Sequence, residues 1–387
     1  MDFTLTDDHL ALRDAVHRFC EKQYPAMHRG NPETPKESRE RWLEMAELGL
    51  TGLIIPSEMG GSHQGPVEVM LVAQELGRVL GGGAWLSSAV TAAQSLVTLG
   101  NPEQKQRWLP EMANGSLQAA LALYEPGNRY DWQRVSTRVS HDGQAHRLNG
   151  QKTLVLQGDS AKLLLIVARA DDEMGDPNGL CIYAIDADAP GVQIQGFDTL
   201  DGRRAAHITL NQVKVDESRC LGRSSSVSQA LSAVLDATNA ALCAEAAGAV
   251  EALLVLTVDH LKTRKQFGSP LAKFQVLQHR VADMAIGLEQ LKSMACASAA
   301  AVAGHDAMQR RQVVSAAKVL TSQLGRQIGL MSIQLHGGMG MTDECRVSHY
   351  AKRLMVIGQM FGDAAAHLQS LSLNRSSNRS SPFPLHP

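Results

Sequence analysis

The sequence lacks the patterns that mark several classes of protein. Its six cysteines are scattered, with no Cys-x-x-Cys pair and no close cluster of cysteine and histidine. This absence argues against a zinc site and against a disulfide framework, so no bound metal is expected. The formal net charge is only −2, which gives no electrostatic footprint for nucleic acid or for an anionic membrane.

Targeting and membrane-spanning patterns are missing as well. The N-terminal stretch MDFTLTDDHL is acidic and has no apolar core of the kind found in signal peptides. No run of about eighteen uninterrupted apolar residues, the length that spans a bilayer, occurs in the chain. We therefore expect a cytoplasmic globular protein that does not insert into a membrane.

What is present predicts a helical, then β, then helical chain. The 387 residues are too many for one ordinary core and predict two or three packed units. The first third contains amphipathic runs such as EVMLVAQELGRVLGGG, whereas the middle has short apolar or alternating segments between Asp-Gly, Asn-Gly and Pro-Gly turns. Long apolar helices then return. The class is α+β, and the expected parts are an N-terminal helical domain (1–118), a middle β domain (119–225), a C-terminal four-helix bundle (226–374) and a disordered Ser-, Arg- and Pro-rich tail (375–387).

The first motif with possible chemistry is RKQFGSPL, residues 264–271. Arg264 can form a fork onto a phosphate, Gln266 can bond to a polar ring edge, and Phe267 offers a stacking face. A structural interpretation competes with this one. The stretch can equally be a helix–turn–helix connection in which Gly268 caps the first helix.

The second motif is QLHGGMGMT, residues 334–342. Gly337, Gly338 and Gly340 end a helix and leave main-chain amides that a ligand can approach closely. A plain helix C-terminus is the alternative. By itself, His336 is more often a packing histidine than a catalytic base.

Together, in this order and spacing, the two motifs resemble those of the acyl-CoA dehydrogenase family. PSEMGG, NPEQKQRWLP and RLNGQK fall in the same family order, so the resemblance covers nearly the whole chain. It implies an FAD-dependent oxidoreductase acting on CH–CH groups, in fatty acid or dicarboxylate degradation. In this family FAD accepts a hydride from the β-carbon of an acyl-CoA thioester while a carboxylate removes the α-proton. An electron-transfer flavoprotein is the implied electron acceptor.

The resemblance also assigns cofactor residues. In the family, the residues matching Arg264, Gln266 and Phe267 contact the FAD of a neighbouring subunit. Those matching Gln334 and the glycine pair touch its adenosine-diphosphate half. The residues carried over from the two motifs are Arg264, Gln266, Phe267, Gly268, Gln334, Leu335, Gly337 and Gly338.

Other parts of the family site are altered. The family's Trp-Ile-Thr or Trp-Ile-Ser stretch beside the flavin ring is replaced by Leu154, Val155 and Leu156. This replacement removes an aromatic wall and the hydroxyl that would bond to the ring. The loop that usually lies open along flavin and substrate reads YEPGNRYD, with the bulky pair Arg129 and Tyr130 in place of glycine and serine.

The catalytic base is missing from both positions that the family uses. Phe361 stands where most members carry glutamate, and Thr238 stands at the alternative position; neither side chain accepts a proton at neutral pH. Two acids nearby are weak substitutes, Glu245 and Asp363. Asp363 precedes the alanine run AAAHL, which is typical of a helix N-cap.

Three hypotheses follow from this pattern of retention and loss. What is retained is the part of the site that serves a neighbour's FAD, so we favour a small subunit, in an α2β2-like complex with a larger homologous subunit that carries the base. The run before RKQFG, the ending FGDAAAHL and the length also look most like the small subunit of a two-subunit dehydrogenase. The alternatives are a self-sufficient homo-oligomer, such as a homo-tetramer, with Glu245 as base, and a non-catalytic scaffold of the same fold. The acyl-CoA substrate stays open.

Overall fold

The computed structural model describes residues 4–24, 34–141, 146–170, 179–223 and 225–378. The last helix extends to Asn378, four residues into the segment that we expected to be disordered. The rest of that segment, 379–387, lies outside the described residues.

Contacts divide the chain into two compact units that are not continuous in sequence. The first contains 1–30, 73–81 and 239–387, and the second contains 31–72 and 82–238. The succession of helices, then strands, then helices is the one that the sequence predicted.

The second unit places helices around one mixed sheet. Its helices are α2 (Pro35–Glu47), the first part of α3 (Pro66–Arg78), a π-helix (Trp85–Ala92) that runs into α4 (Ala93–Leu99), and α5 (Pro102–Ala113). Helix α5 begins directly after Asn101, because Asn101 and Gln104 cap each other reciprocally. The Gln104 amide also donates to the carbonyls of Ser218 and Cys220, at 2.8 and 2.9 Å, and so ties α5 to the sheet.

The sheet has eight strands among the described residues. They are β1 (Ala119–Ala122), β2 (Arg138–His141), β3 (His146–Leu156), β4 (Leu163–Arg169), β5 (Leu180–Asp186), β6 (Val192–Asp198), β7 (Arg204–Val215) and β8 (Cys220–Arg223). The order is β6-β7-β3-β2-β4-β5-β8, and β1 pairs with β4 in parallel. Strand β4 is buried along its whole length, which explains its continuous apolar sequence.

The first unit is a helical bundle. It contains α1 (Asp7–Gln23), most of α6 (Ser225–Thr263), a short hairpin of β9 (Lys265–Gln266) and β10 (Ser269–Pro270), α7 (Gln275–Ala303), α8 (Ala307–His336), α9 (Arg346–Gln359) and α10 (Ala364–Asn378). Helix α8 packs against α7, α9 and α10. Residues 226–374, where the sequence predicted a four-helix bundle, contain five helices, α6 to α10.

Helices α3 and α6 come into direct backbone contact in the first unit. A Cβ atom added to Gly248 of α6 would lie 1.9 Å from the carbonyl oxygen of Gln74, and one added to Gly77 of α3 would lie 2.1 Å from that of Glu245. No side chain fits at either position without moving a helix. The alanine-rich sequence of α6 reflects this close packing.

Helix α6 is also the one helix among the described residues that is long and apolar enough to cross a membrane. However, 67% of its most apolar window is buried inside the fold. A core helix passes the same test of length and composition.

Candidate functional site

The structure brings the two sequence motifs together in the first unit. Near the end of α6, the His260 ring stacks on the ring of His336, the last residue of α8, with centroids 4.2 Å apart and planes 26° apart. Arg264 is the first residue after α6, and its main-chain N–H donates to the His260 carbonyl at 2.8 Å. The end of the helix that leads into RKQFG therefore contacts QLHGG, although about seventy positions separate the two motifs in the chain.

The RKQFG segment is a hairpin rather than a simple helix–helix connection. Gln266 pairs with Ser269 across β9 and β10, and Phe267 and Gly268 turn the chain with φ angles of +53° and +75°. A positive φ is unusual for phenylalanine, so the hairpin holds Phe267 in a costly conformation. Its side chain is 90% exposed. Arg264 and Gln266 are exposed as well. The turn therefore displays a cation, an amide and an aromatic face outward.

The QLHGG segment leaves open main chain beside this hairpin. A Cβ atom added to Gly337 or Gly338 would meet no atom within 4 Å, so a ligand can approach both peptide units. Gln334 is exposed, whereas Leu335 is buried and can offer only its backbone. Gly340 has a packing role, because a Cβ there would lie 2.7 Å from the Ile333 carbonyl.

The local charge suits an anion. From residue 260 to residue 282 the sequence has no acid, and all five of its lysines and arginines are exposed; they are Lys262, Arg264, Lys265, Lys273 and Arg280. With the open glycine pair, these features fit the adenosine-diphosphate half of FAD, which carries a diphosphate and an aromatic base.

The strand that would lie beside the flavin ring is irregular. The pairing of β3 with β7 shifts between Lys152 and Val155, and Leu154 and Gln157 have φ angles of +52° and +55°. Leu154 is 54% exposed while Val155 is buried. The surface thus presents one aliphatic side chain where the family has a tryptophan, and no hydroxyl follows it. The ring half of the site does not fit as well as the adenosine half.

A buried ion pair fixes the YEPGNRYD loop to the RLNGQK strand, and the sequence analysis missed it. Lys152 Nζ lies 2.7 Å from Glu125 Oε1, and both side chains are buried. The carboxylate also accepts hydrogen bonds from the main-chain N–H groups of Ser136 and Thr137, at 2.6 and 2.9 Å. Burial raises the pKa of Glu125, but Lys152 and these hydrogen bonds outweigh burial and lower it. The ion pair and these hydrogen bonds therefore anchor the loop to the strand, although the loop carries the exposed Arg129.

The two positions to which the sequence resemblance assigns the base hold groups that cannot abstract a proton. Thr238 is fully buried, donates to the Val234 carbonyl at 2.8 Å and lies 3.1 Å from the Thr91 hydroxyl. Phe361 lies in the turn between α9 and α10 with a φ of +52°. Neither side chain can become a base by a change of environment.

Glu245 is engaged in a second buried ion pair. Its two carboxylate oxygens accept from Nε and Nη2 of Arg353, each at 2.8 Å, and both residues are nearly inaccessible to solvent. The third guanidinium nitrogen, Nη1, lies 3.5 Å from the sulfur of Met360, next to the turn that carries Phe361. Such bidentate geometry is typical of a structural clamp between helices.

Asp363 caps the last helix. Its Oδ1 accepts from the main-chain N–H of Ala366 at 2.8 Å, and its carbonyl accepts from His367 N at 3.1 Å. This is the N-cap arrangement expected from the alanine run that follows.

We expect Asp363→Asn to change the free energy of unfolding by less than about 0.5 kcal/mol, because asparagine caps as well as aspartate. Asp363→Ala should cost about 1 kcal/mol, the usual loss of a capping oxygen. Urea unfolding of the purified chain measures both. An asparagine variant as unstable as the alanine variant would show that the charge, and not the cap, stabilises this turn.

Metal-binding geometry is not found in the part of the chain that the structure describes: no group of three or more histidine, cysteine, aspartate or glutamate side chains could hold an ion.

Comparisons with known proteins point to one family. Three sequence-family models match the chain. They are those of the acyl-CoA dehydrogenase N-terminal domain (residues 6–116), middle domain (120–214) and C-terminal domain (227–372). The probable acyl-CoA dehydrogenase YngJ of Bacillus subtilis (strain 168) is 27% identical over 366 residues, which cover 93% of this chain and 96% of that protein. A variant of the Tcur3481-Tcur3483 steroid ACAD is 28% identical, with a TM-score of 0.86 over 98% of this chain and 100% of that one. Butyryl-CoA dehydrogenase from Megasphaera elsdenii, at 22% identity, shares the fold with a TM-score of 0.89 over 97% of this chain and 100% of that one.

Proposed function

The chain belongs to the acyl-CoA dehydrogenase family, and from that membership we propose that it is the small subunit of a heteromeric, FAD-dependent acyl-CoA dehydrogenase. A larger homologous subunit would carry the catalytic base and the acyl-CoA thioester, in an α2β2-like complex. The resemblance of this chain to the small subunit of pimeloyl-CoA dehydrogenase supports that role. An electron-transfer flavoprotein would accept the electrons.

The observation that carries the proposal is the contrast between the two halves of the site. RKQFG is exposed, as is the open glycine pair, while Phe361 and Thr238 stand at the positions to which the sequence resemblance assigns the base. A chain that had lost all dehydrogenase function would have no reason to keep a strained, exposed Phe267. A subunit that serves its neighbour's FAD would need it.

The residues of this chain would act by binding and orientation. Arg264 would neutralise diphosphate charge, Phe267 would stack on an aromatic ring, and the Gly337–Gly338 main chain would lie against the adenosine end. Gln266 and Gln334 would supply amide hydrogen bonds. When bound, FAD supplies the hydride acceptor, and the base that removes the α-proton would come from the larger subunit.

Two further observations support this choice over the alternatives. The Arg353 clamp on both oxygens of Glu245 weighs against a self-sufficient enzyme with Glu245 as base. The steroid ACAD to which the chain is 28% identical is designated by two names, which suits a family branch with paired chains. The fit of the adenosine half weighs against a scaffold without cofactor.

We expect the purified chain to contain FAD well below one equivalent and to show no acyl-CoA dehydrogenase turnover. Co-expression with a larger homologue that has glutamate at a base position should restore both, as measured by flavin absorbance and by reduction of an artificial electron acceptor. In that complex, Arg264→Ala should lower the FAD content, because a charge-assisted contact is lost, while the exposed Arg39→Ala serves as control. Stoichiometric flavin and turnover from the chain alone would refute the proposal.

A further inference from the structure

The stacked histidines at the centre of the candidate site have no role in the function proposed above. His336 Nδ1 lies 2.8 Å from the Ser332 carbonyl, and a carbonyl can only accept. Nδ1 must therefore carry the proton of the neutral ring, and Nε2 is left as the nitrogen with the free lone pair. His260 covers the face of this ring at 4.2 Å.

The surroundings of His260 disfavour a positive charge on its ring. Burial, followed by His336 and Arg264, lowers the pKa of His260. The ionisable side chains within one turn of His260 on α6 and in the adjoining hairpin are Asp259, Lys262, Arg264 and Lys265, whereas within one turn of His336 on α8 the chain has none. Among these neighbours in sequence, three cations outnumber the single carboxylate.

A diphosphate bound beside the Gly337–Gly338 main chain and Arg264 would reverse this balance. The negative charge would favour protonation of the neighbouring imidazoles, and each protonated imidazole would in turn strengthen the hold on the anion. The pair links the end of α6, four residues before Arg264, to the last residue of α8 within QLHGG, so it lies near where a ligand held by both motifs would bind. We propose that His260 and His336 belong to the nucleotide site, and that binding of a nucleotide diphosphate there is coupled to uptake of a proton by this histidine pair. The inference rests on the adenosine-diphosphate half of FAD binding at these motifs, as in the proposed function.

The sign of the coupling follows from linkage. If the ligand raises the proton affinity of the pair, the bound form holds more protons than the free form. The affinity for the ligand then increases as the pH falls through the interval between the pKa values of the bound and free forms. One fully linked proton allows up to about a tenfold change in affinity per pH unit. We expect binding about fivefold tighter at pH 6 than at pH 8.

ADP-ribose is the probe of choice, because its diphosphate is a diester and keeps its charge over this pH range. The full-length purified chain, labelled with carbon-13 histidine, is titrated with acid in the presence and absence of ADP-ribose. The His260 resonance should titrate below the ordinary histidine range without ligand and move upward with it. Affinity is measured in parallel by calorimetry in two buffers of different ionisation enthalpy, which counts the protons taken up.

His260→Phe tests the role of the proton separately from the role of packing. Phenylalanine keeps a ring stacked on His336 but cannot titrate, so the variant should bind ADP-ribose at pH 8 about as well as the natural chain and lose most of the tightening at pH 6. His305→Asn is the matched control, because His305 is exposed and lies just before the start of α8, at the opposite end of that helix from His336. It should leave the pH dependence unchanged.

The outcomes distinguish a failure of the proton coupling from a failure of the proposed function. Binding of ADP-ribose with no shift in either histidine, or with a pH dependence that survives His260→Phe, overturns the proton coupling and leaves the proposed function standing. No perturbation of the labelled histidines and no binding heat at any ADP-ribose concentration overturns the adenosine-end assignment itself, and the inference falls with it.

Discussion

Lys152→Met is expected to lower the free energy of unfolding by about 3–5 kcal/mol, the usual cost of removing one partner of a buried ion pair. Methionine fills a similar volume, but it leaves the Glu125 carboxylate in the interior without its cation. The main-chain donors of Ser136 and Thr137 remain, so the carboxylate stays hydrogen-bonded and only the charge loses its compensation. Urea denaturation of the purified chain, followed by circular dichroism, measures the loss.

Two companion variants make this result specific. Glu125→Gln combined with Lys152→Met removes both charges and should recover a large part of the loss, because no uncompensated charge is left. Lys162→Met removes an exposed lysine at the start of β4 and should change stability by no more than about 0.5 kcal/mol. A double variant as unstable as Lys152→Met would mean that altered packing, and not the uncompensated charge, causes the loss of stability.

The same pair gives stability a dependence on pH. The pKa of Glu125 is lowered in the folded state, so the folded chain binds fewer protons than the unfolded chain in that range. The stabilisation is present above the unfolded carboxyl pKa and is lost as the pH falls through the lowered folded value. Acid titration of the double variant should therefore show a weaker loss of stability below about pH 4.5 than that of the natural chain.

The second large effect concerns Glu245 and Arg353. Arg353→Met should destabilise the bundle by about 3–5 kcal/mol, since it removes the guanidinium from a buried carboxylate. Glu245→Gln keeps an amide oxygen that can accept from Arg353, so it should also destabilise the bundle, but by less than Arg353→Met. Thermal unfolding of both variants supplies the comparison.

Turnover of the co-expressed complex then distinguishes a clamp from a base. If Glu245 is structural, Glu245→Gln lowers the melting temperature while turnover per bound FAD stays within about twofold. If Glu245 is the base, turnover falls by orders of magnitude with little change in melting temperature, because general-base removal costs about 10²–10⁴-fold. The second result would restore the self-sufficient enzyme as the better description.

Local patterns in the sequence predicted the parts of the fold that depend on local physics. The start of α5 at Asn101 and Pro102 and the cap at Asp363 follow from side chains that bond to main chain within three residues. The buried strand β4 follows from a short apolar run. The RKQFG turn was less predictable, because a two-residue hairpin between helices leaves almost no periodic signal.

The ion pairs could not be predicted by the same reasoning. Glu125 and Lys152 are 27 residues apart, and Glu245 and Arg353 are 108 apart. Nothing in the local pattern of either partner specifies the other, since register and helix packing decide which charges meet. In YEPGNRYD the sequence signal lay in the replaced residues of the loop, and in RLNGQK it lay in the retained family order, so neither stretch indicated that Glu125 pairs with Lys152.

The contact between Gly77 and α6 has a practical consequence for dissecting the protein. The bundle is completed by α1 and by residues 73–81, which precede the whole sheet in the chain. A fragment cloned from α6 onward would therefore expose, along the line of Gly248, a groove shaped for a helix that it no longer encodes. Such a fragment should be supplied with the missing N-terminal helices, either in trans or through a rearranged gene that fuses them to α10, before its failure to fold is taken as evidence about the site.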